Sequence, residues 1–305
     1  MKRISVLIIT YNQESVIRRT LDSVLQHKDW GLYEIVVNDD CSKDKTWDIL
    51  QEYKEKYPSI VKPYRNATNK GIYGNAQELY YHRGEAELFL FLDGDDIICP
   101  DLFKELQAFI KNSRVDTSSN MAIFFDWKSI MPNKKETIYR QNLVLKEKHP
   151  YSLAIRGHLT FRGAVFSSKV LDKYSPAVLD KGLNLAEAIW DFQGIRLTES
   201  FYYVPFVGTA YYQMIGVSTS LKLDKPYYNE EDVVRWDYLS KNYAINRRDY
   251  HWMRACMYRT ICRMNFSFVI YAKMLYHYFL GVALYDFKLR KFAKFILLRG
   301  YSMYL

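Results

Sequence analysis

LFLFLDGDD (88–96) sets the fold. Five apolar residues run without a break and are followed at once by three carboxylates arranged around a glycine. An uninterrupted apolar run of this length reads as a strand covered on both faces, as in the middle of a parallel sheet. Asp93, Asp95 and Asp96 then stand within four residues of one another at its end. Like charges this close repel unless something compensates them. A divalent cation bridging to a diphosphate would do so, because Mg²⁺ and Mn²⁺ take hard oxygen ligands from one or two carboxylates plus phosphate. Gly94 would let the backbone approach a bulky ligand. A solvated acidic turn capping a helix that starts near Pro100 would leave the same trace, and this stretch alone does not separate the two.

Outward from there, strands and helices alternate. SVLIITYN (5–12) reads as a strand ending in polar residues, and Asn12 to Gln26 as a helix with an apolar stripe of Val16, Ile17, Leu21, Val24 and Leu25. EIVV (34–37) is a second buried strand, followed by Asn38, Asp39 and Asp40. Thr46 to Tyr57 is expected to be a helix, Val61 to Arg65 a strand, Gly71 to Gly74 a loop and Asn75 to His82 a helix. Such alternation gives a parallel sheet with right-handed crossovers. Ligands of these sheets sit at the carboxyl ends of the strands. Three polar strand ends should therefore converge: Thr10-Tyr11, Asp39-Asp40, and Asp93-Gly94-Asp95-Asp96. Asp39 and Asp40 are suited to accept hydrogen bonds from a nucleobase imide or a ribose, and Tyr11 to stack on a base. Ser42 and Asp44 suit helix capping.

Toward the C-terminus the pattern loosens. Pro100 to Lys111 reads as a helix, MAIFFDW (121–127) and GAVFSS (163–168) as strands, Leu185 to Glu199 as a helix, and FYYVPFVGTAYYQ (201–213) as extended, with Pro205 at an edge or turn. From about Asn229 the chain reads as helices.

Composition narrows the class. Of 305 residues, 49% are hydrophobic and 25% charged, which excludes disorder for most of the length. The 27 tyrosines supply abundant amphipathic surface. Cys41, Cys99, Cys256 and Cys262 show no paired metal spacing, the six histidines no ligand spacing, and no Ser-His-Asp or Cys-His pairing stands out. MKRISVLIITYN is too short in its apolar run for a secretory signal and reads as a strand, so a cytoplasmic setting with reduced cysteines is expected.

The order of these pieces resembles glycosyltransferase family 2. SVLIITYN, EIVVNDDCSKDKT, NKGIYGNA (69–76), the Gly84-Glu85 pair and FLDGDDIICPD (91–101) follow one another as in that family, from Ser5 to about Phe109. The resemblance implies an α/β, GT-A fold: a Rossmann-like, mostly parallel central sheet with flanking helices. Residues 1–220 would form it, 1–110 as the nucleotide-sugar-binding half and 111–220 as the acceptor and catalytic half. It further implies that Thr10, Tyr11, Asp39, Asp40, Asp93 and Gly94 bind the donor, with uracil the base most often held by Asp39. Asp95, with Asp93, would ligate Mn²⁺ or Mg²⁺. Cys41 stands where the family most often has glycine. Counting back from the YYVPFVGTAYYQ strand places Glu187 at the position of the family's catalytic base, where an Asp is usual. Asp191, at i+4 on the same helix face, is the alternative.

The activity implied is inverting transfer from a nucleotide-diphosphate sugar to a hydroxyl of a glycan or lipid-linked glycan. Two other classes fit parts of the chain. A sugar-nucleotide nucleotidyltransferase would carry a Gly-rich, Lys/Arg-containing loop after its first strand, where this chain has TYNQES. An inactive binding module would not need Asp93 and Asp95.

The net charge of +9 is uneven: residues 241–305 carry 12 Lys and Arg against Asp249 and Asp286, leaving the first 240 near neutrality. FSFVIYAKMLYHYFLGVALY (266–285) is interrupted by Lys273 and His277, which favours a surface or buried helix over a spanning one. FKLRKFAKFILLRGYSMYL (287–305) mixes basic residues with an aromatic-aliphatic face, the pattern of interfacial lipid binding. Residues 225–305 are thus expected to be a basic aromatic helical tail. Its segment 266–305 would meet an anionic membrane surface on the cytoplasmic side, with no nucleic acid as partner.

Overall fold

The computed structural model describes residues 1–145, 163–173, 194–213 and 245–283, with Val233, Trp236, Asp237, Ser240 and Ile296 in addition. The chain divides into two compact units, the first holding the described residues up to 213 and the second those from Val233 onward.

The first unit is built on a sheet of nine strands among the described residues. They are β1 (Ile4–Thr10), β2 (Leu32–Asp39), β3 (Val61–Arg65), β4 (Leu88–Asp93), β5 (Ile97–Ile98), β6 (Met121–Ile130), β7 (Glu136–Tyr139), β8 (Ala164–Ser167) and β9 (Ser200–Tyr212). Their spatial order is β3-β2-β1-β4-β8-β6-β9-β5, with β7 on β6. β3, β2, β1 and β4 are parallel neighbours. Beyond them the sheet is mixed: β8 runs antiparallel between β4 and β6, and β6 and β9 are parallel. The purely parallel part therefore coincides with the stretch whose strands and helices alternate in sequence.

The helices cover this sheet for the reasons their apolar stripes imply. α1 (Ile17–Leu25) buries Ile17, Thr20, Leu21, Val24 and Leu25. α2 (Thr46–Lys56) buries Ile49, Leu50 and Tyr53. α3 (Gly71–His82) follows, and α4 (Leu102–Asn112) buries Leu102, Phe103, Leu106 and Ile110. A short α5 (Ser168–Asp172) follows β8. Leu88, Leu90 and Leu92 of β4 join one core with Val6 and Ile8 of β1 and Ile35 and Val37 of β2.

Two boundaries depart from the pattern in the sequence. α1 begins at Ile17 rather than near Asn12. The backbone N–H groups of Asn12, Gln13 and Glu14 donate instead to Ser42 Oγ, Thr46 Oγ1 and Asp44 Oδ2, at 2.9, 2.8 and 3.0 Å. α3 begins at Gly71, inside the expected loop, because Asp40 Oδ1 takes the Lys70 N–H at 2.8 Å and Asn69 Oδ1 the Gly71 N–H at 3.1 Å. Pro205 falls where β9 slips register against β6 between Phe125 and Asp126, so its missing N–H costs no ladder bond there. The expected helix 185–199 is described only from Gly194, and Glu187 and Asp191 lie outside the described residues.

The second unit contains α6 (Arg247–Met264) and α7 (Phe268–Tyr278), followed by a π-helical turn, Phe279–Ala283. Asn246 caps α6 by accepting the Asp249 N–H at 2.9 Å. Gly281 lets the turn close on α6, since a Cβ there would lie 2.5 Å from the Trp252 nitrogen. His251 and His277 face each other through Nδ1 atoms 2.7 Å apart, and burial together with Arg254 pushes the His277 imidazole down to about 3. Among the described residues, no helix is long and apolar enough to cross a membrane.

Candidate active site

The sheet register brings the three polar strand ends together. Thr10 lies beside Asp39 across the β1–β2 ladder, and Ile9 beside Asp93 across β1–β4. One strand end thus sits between the two acidic groups.

Asp39 is fully buried. Its carboxylate accepts from Ser42, through the N–H at 3.2 Å and through Oγ, and meets Arg65 Nε at 3.2 Å. Burial pushes the Asp39 carboxyl above the ordinary carboxylate range, against the pull of Ser42 and Arg65. The turn after β2 is made by Cys41, whose φ of 62° is left-handed. That conformation costs a side-chain-bearing residue about 1–2 kcal/mol and a glycine almost nothing, which accounts for the glycine usual at this place. Asp40, also buried, accepts from Asn66 Nδ2 and the Lys70 N–H, both at 2.8 Å. Asn66 and Asn75 both accept from Asn38 Nδ2, at 3.0 and 2.7 Å, and Asn75 Nδ2 donates to the Thr10 carbonyl at 3.3 Å. A buried amide network therefore fixes the floor between β1, β2 and α3. Thr10 Oγ1 donates to Gln13 at 2.7 Å, and Tyr11 follows it, half-buried.

The acidic turn after β4 is held from several sides. The Gly94 N–H donates to the Ile9 carbonyl at 2.9 Å, and the Gly94 carbonyl accepts from Thr20 Oγ1 at 2.9 Å. A Cβ at Gly94 would come within 2.9 Å of that Ile9 oxygen and 3.0 Å of Thr10 Cβ, so only glycine fits without displacement. Arg19 donates to the Asp95 carbonyl at 2.6 Å, and its guanidinium lies 3.7 Å from the centre of the Tyr212 ring. Tyr212, the last residue of β9, donates its N–H to Asp96 Oδ1 at 3.1 Å. With the turn so held, Asp93, Asp95 and Asp96 each offer a carboxylate oxygen within 4.8 Å of the others, Asp95 and Asp96 buried and Asp93 half-buried. Three hard oxygen donors at that spacing fit a Mg²⁺- or Mn²⁺-type cation.

A second polar centre lies on β6. Asp126, fully buried, accepts from Arg140 at 2.8 Å, the Gln141 N–H at 3.0 Å and the Tyr203 hydroxyl at 2.8 Å. Burial and the Asp126 charge push the Tyr203 hydroxyl up to about 12. Trp127 stacks on Tyr139 beside it, with ring centres 4.0 Å apart.

The profile described as Glycosyl transferase family 2 matches residues 5–174, more than half the chain, and so includes all three strand ends. The chain belongs to glycosyltransferase family 2. One relative is the poly(ribitol-phosphate) beta-N-acetylglucosaminyltransferase TarS of Staphylococcus aureus, 36% identical over 118 residues. That match covers 38% of this chain but only 20% of TarS. The structure of S. aureus TarS 1–349 in complex with UDP-GlcNAc superposes with a TM-score of 0.56 at 20% identity, covering 97% of this chain and 79% of that one. The mannosyltransferase PcManGT of Pyrobaculum calidifontis, in complex with GDP-Man and Mn²⁺, gives 0.51 at 14% identity, covering 96% and 78%. These likenesses show the GT-A fold for this chain.

Of the residues expected from the sequence, Thr10, Asp39, Asp40, Asp93, Gly94 and Asp95 are brought to one edge of the sheet. Arg19, Arg65, Asn66 and Tyr212 support that edge and lie outside the acidic and glycine motifs of the sequence. Arg19 sits in the first turn of α1 and Tyr212 in a tyrosine-rich strand, where nothing local marks either. Asn75, by contrast, lies inside the NKGIYGNA stretch.

Proposed function

We propose that the protein is an inverting glycosyltransferase that moves a sugar from a UDP-sugar to a hydroxyl of a glycan or lipid-linked glycan, in the synthesis of cell-surface polysaccharide or glycoconjugate. The observation that carries this reading is the register that sets Asp39 and the Asp93–Asp96 turn on either side of the β1 end. A base-binding carboxylate and a diphosphate-binding acid turn would thereby lie at opposite ends of one nucleotide. The UDP-GlcNAc bound by TarS supports the uracil assignment, and its poly(ribitol-phosphate) acceptor supports a surface glycan.

Asp95 and Asp93 would hold Mn²⁺ or Mg²⁺, with Asp96 steadied behind them by Tyr212. A bound cation of this kind supplies Lewis-acid neutralisation of the charge developing on the departing diphosphate. Asp39 accepts the imide N–H of the base. Glu187, with Asp191 as the alternative, removes the proton of the acceptor hydroxyl as its oxygen attacks the anomeric carbon. Attack from the face opposite the leaving group inverts the configuration. The enzyme works on the cytoplasmic side of the membrane, with residues 266–305 at the lipid surface.

The test is a panel of nucleotide sugars with Mn²⁺ or Mg²⁺, scored by nucleoside-diphosphate release and by product configuration. One UDP-sugar should be preferred, and an α-linked donor should yield a β-linked product. An α-linked product from an α-linked donor would overturn the inverting assignment.

The buried Asp39 adds a pH dependence. Its folded-state pKa is raised, so the folded protein holds this proton more tightly than the unfolded chain does. Ionising it costs stability as pH climbs from the ordinary carboxylate value to the raised one. An imide N–H donated to the ionised form offsets that cost. Uridine, which carries no phosphate, should therefore bind best above the raised pKa and lose about tenfold in affinity for each pH unit below it, with proton release on binding. Calorimetry in two buffers of different ionisation enthalpy reads both effects. Affinity that stays flat across the acidic range would remove Asp39 from the base site.

A further inference from the structure

Arg65 ends β3 at the same sheet edge, beside Asp39 in the β2–β3 ladder. Its Nε meets Asp39 Oδ2 at 3.2 Å, and its Nη2 donates to the Ser42 carbonyl at 2.6 Å. Both nitrogens belong to one side of the guanidinium, which thus lies along the turn from Asp39 to Ser42. Trp47 packs near it, with the guanidinium carbon 5.4 Å from the ring centre. A guanidinium carries five N–H donors in a fixed fork, so three remain after these two contacts. Those three, on Nη1 and Nη2, have no partner among the described residues, and the side chain is 36% exposed.

Asp39 is fully buried, so a base that reaches its carboxylate must lie against the side chains bonded to it, Ser42 and Arg65. Ser42 is saturated. Its N–H and hydroxyl go to Asp39, its Oγ also takes the Asn12 N–H at 2.9 Å, and its carbonyl takes Arg65. Of these two partners, only Arg65 still has N–H groups to give.

Charge and distance say what would accept them. The Arg65 cation is already balanced by Asp39, and a phosphate placed there would face that carboxylate. The acidic turn follows β4, which stands three strands from β3, about 14 Å at 4.7–4.9 Å per strand. A diphosphate at that turn therefore leaves the Arg65 end to the base. A carboxylate acceptor beside a guanidinium donor matches an N–H beside a carbonyl, which is the imide edge of uracil. Cytosine in the same pose would turn a bare ring nitrogen toward the carboxylate and an amino group toward the guanidinium, and both contacts repel.

We propose that Arg65 donates to a carbonyl oxygen of the donor's base, next to the N–H taken by Asp39, and so excludes cytosine nucleotides. This rests on the base-site reading of Asp39 given above and adds the residue that sets which base is accepted.

The experiment is calorimetry of the full chain with Mn²⁺, at a pH where Asp39 is ionised, using UDP, CDP, 3-methyl-UDP, 2-thio-UDP and 4-thio-UDP. The wild type should bind UDP at least about tenfold more tightly than CDP. It should also lose several-fold in affinity for one of the two thio analogues, because sulfur is the weaker acceptor. Arg65→Gln should lose about tenfold for UDP and bind that thio analogue as well as UDP. Arg65→Lys keeps a cation beside the buried carboxylate but lacks the fork, and it too should lose the thio discrimination. This second variant serves where Arg65→Gln, with Asp39 left unpaired, fails to fold. An Arg65 that only steadies Asp39 would lower the affinity for UDP and both thio analogues alike. A thio penalty equal in the wild type and the variants, or absent from the wild type, therefore overturns the proposal. 3-Methyl-UDP separates the two readings: binding as tight as that of UDP removes Asp39 from the base site. Its rejection alongside unchanged thio penalties sinks only the role of Arg65.

Discussion

Asp95→Ala is expected to reduce sugar transfer by about 10³-fold or more while leaving the fold in place. The side chain stands in a turn with two further carboxylates within 4.8 Å, so its loss would remove the proposed cation ligand and a like-charge repulsion together. Neutralising the charge on a departing diphosphate is worth several kcal/mol, and at about 1.4 kcal/mol per tenfold, roughly 4 kcal/mol corresponds to three decades in rate. The backbone of the turn is tied by Arg19 at the Asp95 carbonyl, which the substitution keeps. Uridine affinity should accordingly be unchanged, while UDP affinity in the presence of Mn²⁺ falls. Nucleoside-diphosphate release and calorimetry with both ligands check this. Transfer within tenfold of wild type would refute a metal-holding role for the residue.

Glu187→Gln is the second large effect. If Glu187 takes the acceptor proton, the isosteric amide keeps shape and hydrogen bonding but cannot accept that proton. A fall in kcat of about 10²–10⁴-fold follows, with donor affinity little changed. Asp191→Asn should lower kcat by less than about tenfold. The reverse pattern would transfer the role to Asp191, and two small effects would place the base outside this stretch altogether.

How far the sequence could be read depended on how locally each feature is encoded. The parallel strands were legible because SVLII, EIVV and LFLFL are apolar without interruption, as strands covered on both faces must be. The polar residues that end them were legible as candidates because parallel sheets gather ligands at that edge. The start of α1 was not, because Asn12 to Glu14 give their N–H groups to Ser42, Thr46 and Asp44, about thirty residues away in sequence. The start of α3 was hidden in the same manner: two glycines argue against a helix, yet Asp40 anchors its first turn from the neighbouring strand. Arg19 and Tyr212 meet across nearly two hundred residues, a relation that periodicity and motif spacing do not carry. Cys41 shows the converse, a departure from the family's pattern whose meaning became plain only with its left-handed φ.

The suspension of the acidic turn has an energetic consequence. Ile9, Thr20, Arg19 and the amide of Tyr212 hold four successive points of it, drawn from β1, α1 and β9. Crowding three carboxylates together is therefore done during folding, at the expense of the core that these elements share. A cation bound there, as proposed, would find its oxygen donors already gathered, so little of its binding energy would go into reorganising this turn.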